Sequence, residues 1–510
     1  MKGAFRVKKK DIKILKKRKQ KIKKRLERRQ WEAQDQPMFN AKNIQYEMAD
    51  RVQAIDCGGI GAFHLLARNS GLIDAINNNL HLLKIHKPYH ESDHVLNIAY
   101  NTLAGGTCLD DIELLRNDET YMDALGAQRI PDPTTAGDFT RRFFESDILA
   151  LMESINTVRQ KLWNKRLSRS ERTEAILDVD GTLAPTTGEC KQGMGVSYNG
   201  IWGYHPLMIS LANTLEPLYL VNRSGNRPSH DGAAPWIDRA VALVEERFDR
   251  VYVRGDTDFA LTANFDRWTE RGVRFGFGMD AMPNLVEIAE NIDKKCWRVL
   301  KRREKKKSKS GKRRKRPVNV KEQIVVENEY KNIKLQKEHV AEFDYKPTLC
   351  NRSYRVIVLR KKLSVEKGQI RLWDDTRYFF YITNIEEMST AEVVYFCNDR
   401  CNQENLIEQI KNGLNAMRMP VGDLESNWAY MVMCSLAWTL KAWFALLVRG
   451  RDGRDKFLRM EFRQFLNAIV MVPVQIINTS RQIIFRVLGY NHWTHTFFRT
   501  FDRIRQLRLA

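Results

Sequence analysis

Between about residues 47 and 165, apolar positions recur at spacings of three and four, the period of an α-helix. Residues 55–78 and 95–115 carry such runs, with Gly105-Gly106 as punctuation. In the segment Ile130-Pro-Asp-Pro-Thr-Thr, Thr134 or Thr135 can cap a helix running through Phe139, Arg141, Arg142 and Phe143. The texture then changes. Short apolar runs predict strands at 175–180, 207–212, 218–221, 251–254 and 273–277, with helices over 233–248 and 259–271. Past residue 291, branched and aromatic residues alternate with polar ones. They predict strands at 324–326, 340–343, 354–359, 370–372 and 378–382 before helical text returns from about 391.

This pattern divides the chain into a basic arm (1–46), a helical N-terminal domain (47–165), an α/β domain in two parts (166–292 and 377–510, the second ending in helices) and a β-rich insertion (293–376). Three strands, a helix, a strand, a helix and a strand is an order that resembles a ribonuclease H-like catalytic domain. A chain of 510 residues has room for about three domains.

Charge sharpens the picture because it is unevenly spread. The net charge is +23, yet residues 1–30 alone carry +14 and residues 301–316 carry +11, so the other 464 residues sum to about −2. Two intensely basic segments on a near-neutral body suit a polyanion, with double-stranded DNA the expected partner; a solvated tail and loop are the plainer alternative. The eight cysteines form no paired framework, no apolar core follows the N-terminal basic run, and the apolar stretch 429–440 is short for a bilayer span. A cytoplasmic protein, with no membrane association, is the expectation.

Candidate chemistry lies in three acidic positions. On a strand over 175–180, Asp178 and Asp180 face the same side, and two carboxylates on one face call for a cationic partner. Asp256 follows a strand's carboxyl end, where ligand sites of open α/β sheets gather. On a helix over 398–413, Arg400 and Lys411 fall about 40° and 20° to either side of Glu404. Carboxylates from two strand ends and a helix can hold two Mg²⁺ ions, with Mn²⁺ as a substitute, for phosphodiester chemistry. Turn-capping aspartates and an ordinary i,i+4 pair are the alternatives.

Arg400, Glu404 and Lys411 match at their spacings the Tyr-x2-Arg-x3-Glu-x6-Lys motif of bacterial insertion-sequence DDE transposases, although Cys397 stands where the tyrosine is expected. Asp180-Gly-Thr182 and Arg254-Gly-Asp256 resemble the first and second motifs, and residues 203–207, 222–226 and 132–135 are also similar to this group. The resemblance implies Asp180, Asp256 and Glu404 as catalytic metal ligands, with Asp178 a rival for the first place and Asp258 a weaker rival for the second. It implies DNA contact by Arg400 and Lys411, and a homodimer on paired terminal repeats. Arg223, Arg141 and Arg142 are further candidates for DNA phosphates, which makes the helical domain over 47–165 the expected N-terminal DNA-binding domain. The 147 residues between Asp256 and Glu404 leave room for the inserted domain of these enzymes. A nuclease or resolvase that cuts without joining, and an inactive domesticated DNA-binding protein, remain open alternatives.

Other motifs weigh less. Residues 276–281 mimic a dinucleotide fingerprint but come late in the fold, and no Gly-x4-Gly-Lys-Ser/Thr loop is present, so no nucleotide cofactor is expected. His86, His90 and His94 fall four apart, but Pro88 interrupts any helix that would align them, which favours a surface loop over a zinc site. The aromatic run Trp428, Tyr430, Trp438, Trp443 and Phe444 reads as core.

Overall fold

In the computed structural model, residues 9–27, 45–46, 52–188, 190–197, 199–300, 333–365, 375–480 and 482–509 are described. The basic run 301–316 and the strands expected at 324–326 and 370–372 lie outside them.

The N-terminal helices begin at Lys9–Leu26 (α1). Later come Glu91–Leu103 (α2), Pro133–Thr140, and Glu145–Arg166 (α3). The cap of Pro133–Thr140 is Asp132, which accepts from Thr135 N at 2.8 Å, rather than either threonine.

Alternation in β1 (Glu174–Gly181) buries Ala175, Leu177 and Val179 completely. That face anchors the strand inside a mixed sheet. β1 pairs antiparallel with β2 (Leu207–Leu211), which pairs antiparallel with β3 (Glu216–Val221). On its other side β1 runs parallel to β4 (Arg250–Gly255), and β4 runs parallel to β5 (Arg274–Met279). Helix α4 (Ala233–Glu245) packs on β1, β2 and β4 through buried Ile237, Ala240, Val241 and Val244.

Of the strands expected past residue 291, those at 340–343, 354–359 and 378–382 belong to this same sheet. β6 (Arg298–Val299), β7 (Ile333–Tyr345), β8 (Tyr354–Val365) and β9 (Asp375–Thr383) continue it, giving, among the described residues, nine strands in the order β6-β7-β8-β9-β5-β4-β1-β2-β3. Left alone, β5 would be an open edge. β9 closes it in the register Phe380–Met279 to Thr383–Gly276. Polar side chains fasten the join: Thr383 Oγ1 donates to the Phe275 carbonyl at 2.6 Å, and Asn384 accepts from Phe275 N at 2.8 Å while donating to the Val273 carbonyl at 2.8 Å. The helix expected over 259–271 shrinks to Phe265–Glu270, because tight turns at Thr257–Phe259 and Thr262–Asn264 precede it.

After β9 follow α5 (Thr390–Asn398), α6 (Cys401–Glu408) and α7 (Leu424–Leu447). Helix α7 is the one helix among the described residues long and apolar enough to cross a bilayer, and it is wholly buried in the protein. It packs against α2, α3 and β3. Its tryptophans read as core and are core: Trp438 Nε1 donates to the Leu215 carbonyl at 2.7 Å, and Trp443 Nε1 to Glu216 at 2.9 Å. Buried Glu216 also accepts from Trp163 at 2.8 Å and Arg159 at 2.9 Å of α3, so one carboxylate ties three elements together. The C-terminal text is not all helical. Val474–Thr479 and Gln482–Val487 form a hairpin that pairs with Ala54–Ile55, because Val474 and Ile476 alternate inward.

Candidate active site

The two carboxylates of β1 meet different neighbours. Asp178 lies beside Arg254 in the β1–β4 register and is 1% exposed. Arg254 clasps it through Nε and, at 3.2 Å, Nη2. The third nitrogen of Arg254 donates to the Phe396 carbonyl at 2.9 Å, and its guanidinium lies 5.2 Å over the Phe396 ring. Burial pushes the Asp178 carboxyl up against the pull of Arg254. Asp180, at the end of the strand, takes Arg400 instead: Nη2 stands 3.0 Å from Oδ2 and the Gly181 N–H donates to Oδ1 at 2.8 Å.

Asp256 follows β4 directly and accepts from Asp258 N at 3.1 Å. Glu404, on α6, is exposed. The three carboxylates share one electrostatic field. Burial pushes the Asp180 carboxyl up to about 7 against the attraction of Arg400, and repulsion from Asp256 and Glu404 adds to the rise. Burial and the neighbouring Asp258 likewise hold Asp256 above its ordinary value despite Arg400. Asp256 and Glu404 are thus near enough to act on Asp180, which the Arg400 guanidinium faces.

Arg400 and Lys411 do not sit on one helix with Glu404 as expected. Helix α5 stops at Asn398, Arg400 adopts φ −97°, ψ 1° before α6, and a π-helical turn occupies Gln409–Gly413. The break turns Arg400 back onto Asp180. The π turn brings Lys411 Nζ to the Leu183 carbonyl at 2.6 Å, just past β1.

Residues 37–509 match the family profile described as Transposase DDE domain group 1. The chain belongs to this transposase family. No curated protein matches it. Among solved structures, the cryo-EM structure of a piggyBac transposase synaptic complex with hairpin DNA is similar, with a TM-score of 0.36 and 11% identity over 81% of this chain and 80% of that one. Family membership makes the protein a DNA transposase, an enzyme of a divalent-metal-dependent class.

Other expected positions in this transposase fall elsewhere. Arg223, expected at a phosphate, is 3% exposed, and its Nε and Nη1 donate to three carbonyls: His205 at 3.0 Å, Ser229 at 2.9 Å and Asp231 at 2.7 Å. It braces a loop. The helix expected to run through Arg141, Arg142 and Phe143 stops at Thr140, so Arg141 and Arg142 are exposed in the turn before α3, beside Asp138 and the Leu82 carbonyl respectively. Cys397 is buried and its thiol is pushed up to about 12 by that burial. The glycines of the dinucleotide look-alike make room for neighbours: a Cβ on Gly276 would stand 2.8 Å from Cys397 Sγ, and one on Gly278 would stand 2.9 Å from a Thr257 methyl.

His205 is a neighbour that pattern reading passed over as a site residue. A Cβ on Gly181 would stand 2.8 Å from its Nε2, so the Asp-Gly-Thr glycine admits this ring beside Asp180. Nδ1 lies 2.8 Å from the Arg227 carbonyl, which accepts only from the tautomer protonated at Nδ1. Its place in Gly203-Tyr204-His205-Pro206-Leu207 was the available signal.

Proposed function

We propose that this transposase cuts the ends of a DNA element and joins them to target DNA, with Asp180, Asp256 and Glu404 holding two divalent ions, Mg²⁺ or in its place Mn²⁺. The observation that carries this reading is Asp180 at the end of β1 with Arg400 3.0 Å from it and with Asp256 and Glu404 near enough to repel its carboxyl. A cluster so short of positive charge, built from hard oxygen donors, fits such ions. When bound, the ions would supply activation of the attacking oxygen and charge relief for the leaving one. The order β3-β2-β1-β4-β5 supports a ribonuclease H-like core, since three antiparallel strands are followed there by two parallel ones.

The chain's own residues supply position. The Arg254–Asp178 clasp locks β1 to β4, so the ends carrying Asp180 and Asp256 keep a fixed spacing. Lys411 ties the turn behind Glu404 to the segment after β1. Arg400, whose buried Nε has no partner, turns to the scissile phosphate when DNA enters. Lys411 neutralises the adjoining backbone, and Arg141 and Arg142 make the N-terminal helices a second DNA contact. Two element ends react together, so the working form is a homodimer bridging paired terminal repeats.

The test incubates end-containing DNA and Mg²⁺ with the wild type, Asp256→Asn and Glu404→Gln. Each variant should lose at least about 10³-fold in cleavage while retaining DNA affinity, as expected when charge stabilisation is removed from phosphoryl transfer. Undiminished cleavage by either variant rejects the assignment. Strand-transfer products separate a transposase from a nuclease that only cuts, and binding without any cleavage identifies an inactive derivative.

A further inference from the structure

Away from the carboxylates, the segment leading into α2 gathers three metal-ligating side chains. Residues 80–90 run without helix or strand and fold back on the first turn of α2. Donor atoms of His86, His90 and Glu91 consequently lie within 4.8 Å of one another. His86 Nε2 is 3.0 Å from Glu91 Oε2, and the His86 and His90 rings stack with centroids 4.3 Å apart. Both imidazoles are open to solvent, whereas Glu91 is 2% exposed.

The buried carboxylate is what asks for a cation. Glu91 Oε1 accepts from Leu82 N at 3.1 Å and Leu83 N at 3.0 Å. Among the described residues its one ion-pair partner is His86, with no lysine or arginine beside it. A buried carboxylate is costly unless a cation is paired with it. His94, the third histidine of the spacing, turns the other way: it is 4% exposed and stacks on Phe139 at 4.2 Å. Pro88 breaks the helix, as expected, but the irregular chain still brings His86 and His90 together.

We propose that His86, His90 and Glu91 bind one divalent transition-metal ion of the zinc class, two imidazole nitrogens and one carboxylate oxygen filling three positions and water the fourth. The nitrogen donors set this site apart from the all-oxygen carboxylate cluster. An ion there fastens residues 82–90 to α2. That segment, with Phe139 and Arg142, lines a cavity of about 550 Å³, so the metal also sets the floor beneath a candidate DNA-contacting arginine.

The test uses the untagged full-length chain carrying Asp180→Asn, Asp256→Asn and Glu404→Gln, which removes the competing oxygen site. After chelator stripping, Co²⁺ is titrated and then displaced with Zn²⁺. We expect one equivalent of Co²⁺ with the intense visible absorption of a four-coordinate nitrogen–oxygen site. His86→Ala/His90→Ala should weaken binding by at least about tenfold, and Glu91→Gln should weaken it too. The imidazoles are exposed, so circular dichroism of the double variant should match the parent. Absence of saturable binding, or equal affinity in the double variant, overturns the proposal; neither result bears on the transposase reading.

Discussion

Asp178 and Asp180 occupy equivalent positions on β1, two residues apart on one face, and alternation alone cannot rank them. What separates them is Arg254, which sits opposite Asp178 and occupies both its oxygens. Removing one partner of such a buried pair strands a charge. Arg254→Met should therefore destabilise the protein by about 3–5 kcal/mol in urea unfolding, and divalent ions should not restore the loss. Asp180 behaves in the opposite sense. Its carboxyl is raised to about 7 in the folded chain against an ordinary value of 3.8. The folded state therefore holds the extra proton between those limits, and stability of the metal-free protein falls as pH rises from about 4 to about 7. Asp180→Asn should remove that dependence, raising stability at pH 8 by about 4 kcal/mol while changing little at pH 4. Thermal unfolding in chelator across pH reads both; an Asp180→Asn curve parallel to the wild type would show that the carboxyl is not strained.

At the scale of elements, the spacing of Arg400, Glu404 and Lys411 was legible but the helix drawn through them was not. Periodicity registers which residues share a face; it is blind to Arg400 being more useful to Asp180 outside the helix than within it. The break depends on α5 lying close over β5, and that approach depends on Gly276. Gly276→Ala would place its methyl 2.8 Å from Cys397 Sγ and 3.2 Å from the Phe396 ring. Overpacking of this kind costs about 1–3 kcal/mol, and it should displace Arg400 along with α5. Pairing it with Cys397→Ala opens the needed space, so the double variant should regain much of the lost stability and cleavage. A double variant no better than Gly276→Ala alone would place the strain elsewhere. The same contact gives a physical reason for a small side chain at Cys397, where the family motif carries tyrosine.

For the whole molecule, the strands from β1 to β5 were readable because each carries its own apolar pattern. Their continuation through β6 to β9 was not, since the join between β5 and β9 is made by Thr383 and Asn384 about a hundred residues away in sequence. The burial of Arg223 was equally hidden, because a basic loop residue looks the same whether it meets a phosphate or three carbonyls. Charge was legible at once and has a definite consequence. Helix α1 carries much of the +14 of residues 1–30, and the described part of the arm is fixed to the body where Arg18 donates to the carbonyls of Val487 and Gly489 at 3.1 and 3.0 Å. The exposed lysines of α1 are then held out from the C-terminal hairpin as a basic rod. Each phosphate they neutralise contributes about 0.9 to the slope of log affinity against log salt. Deleting residues 1–30 should flatten that slope by several units on any duplex, and Lys16→Gln/Lys17→Gln/Lys23→Gln by about 2–3. Both changes should weaken element-end and unrelated DNA alike, leaving their affinity ratio unchanged, because phosphate contacts carry no sequence information. If the slope survives the deletion, the DNA grip must come from residues 301–316, and removing that run should then flatten it instead.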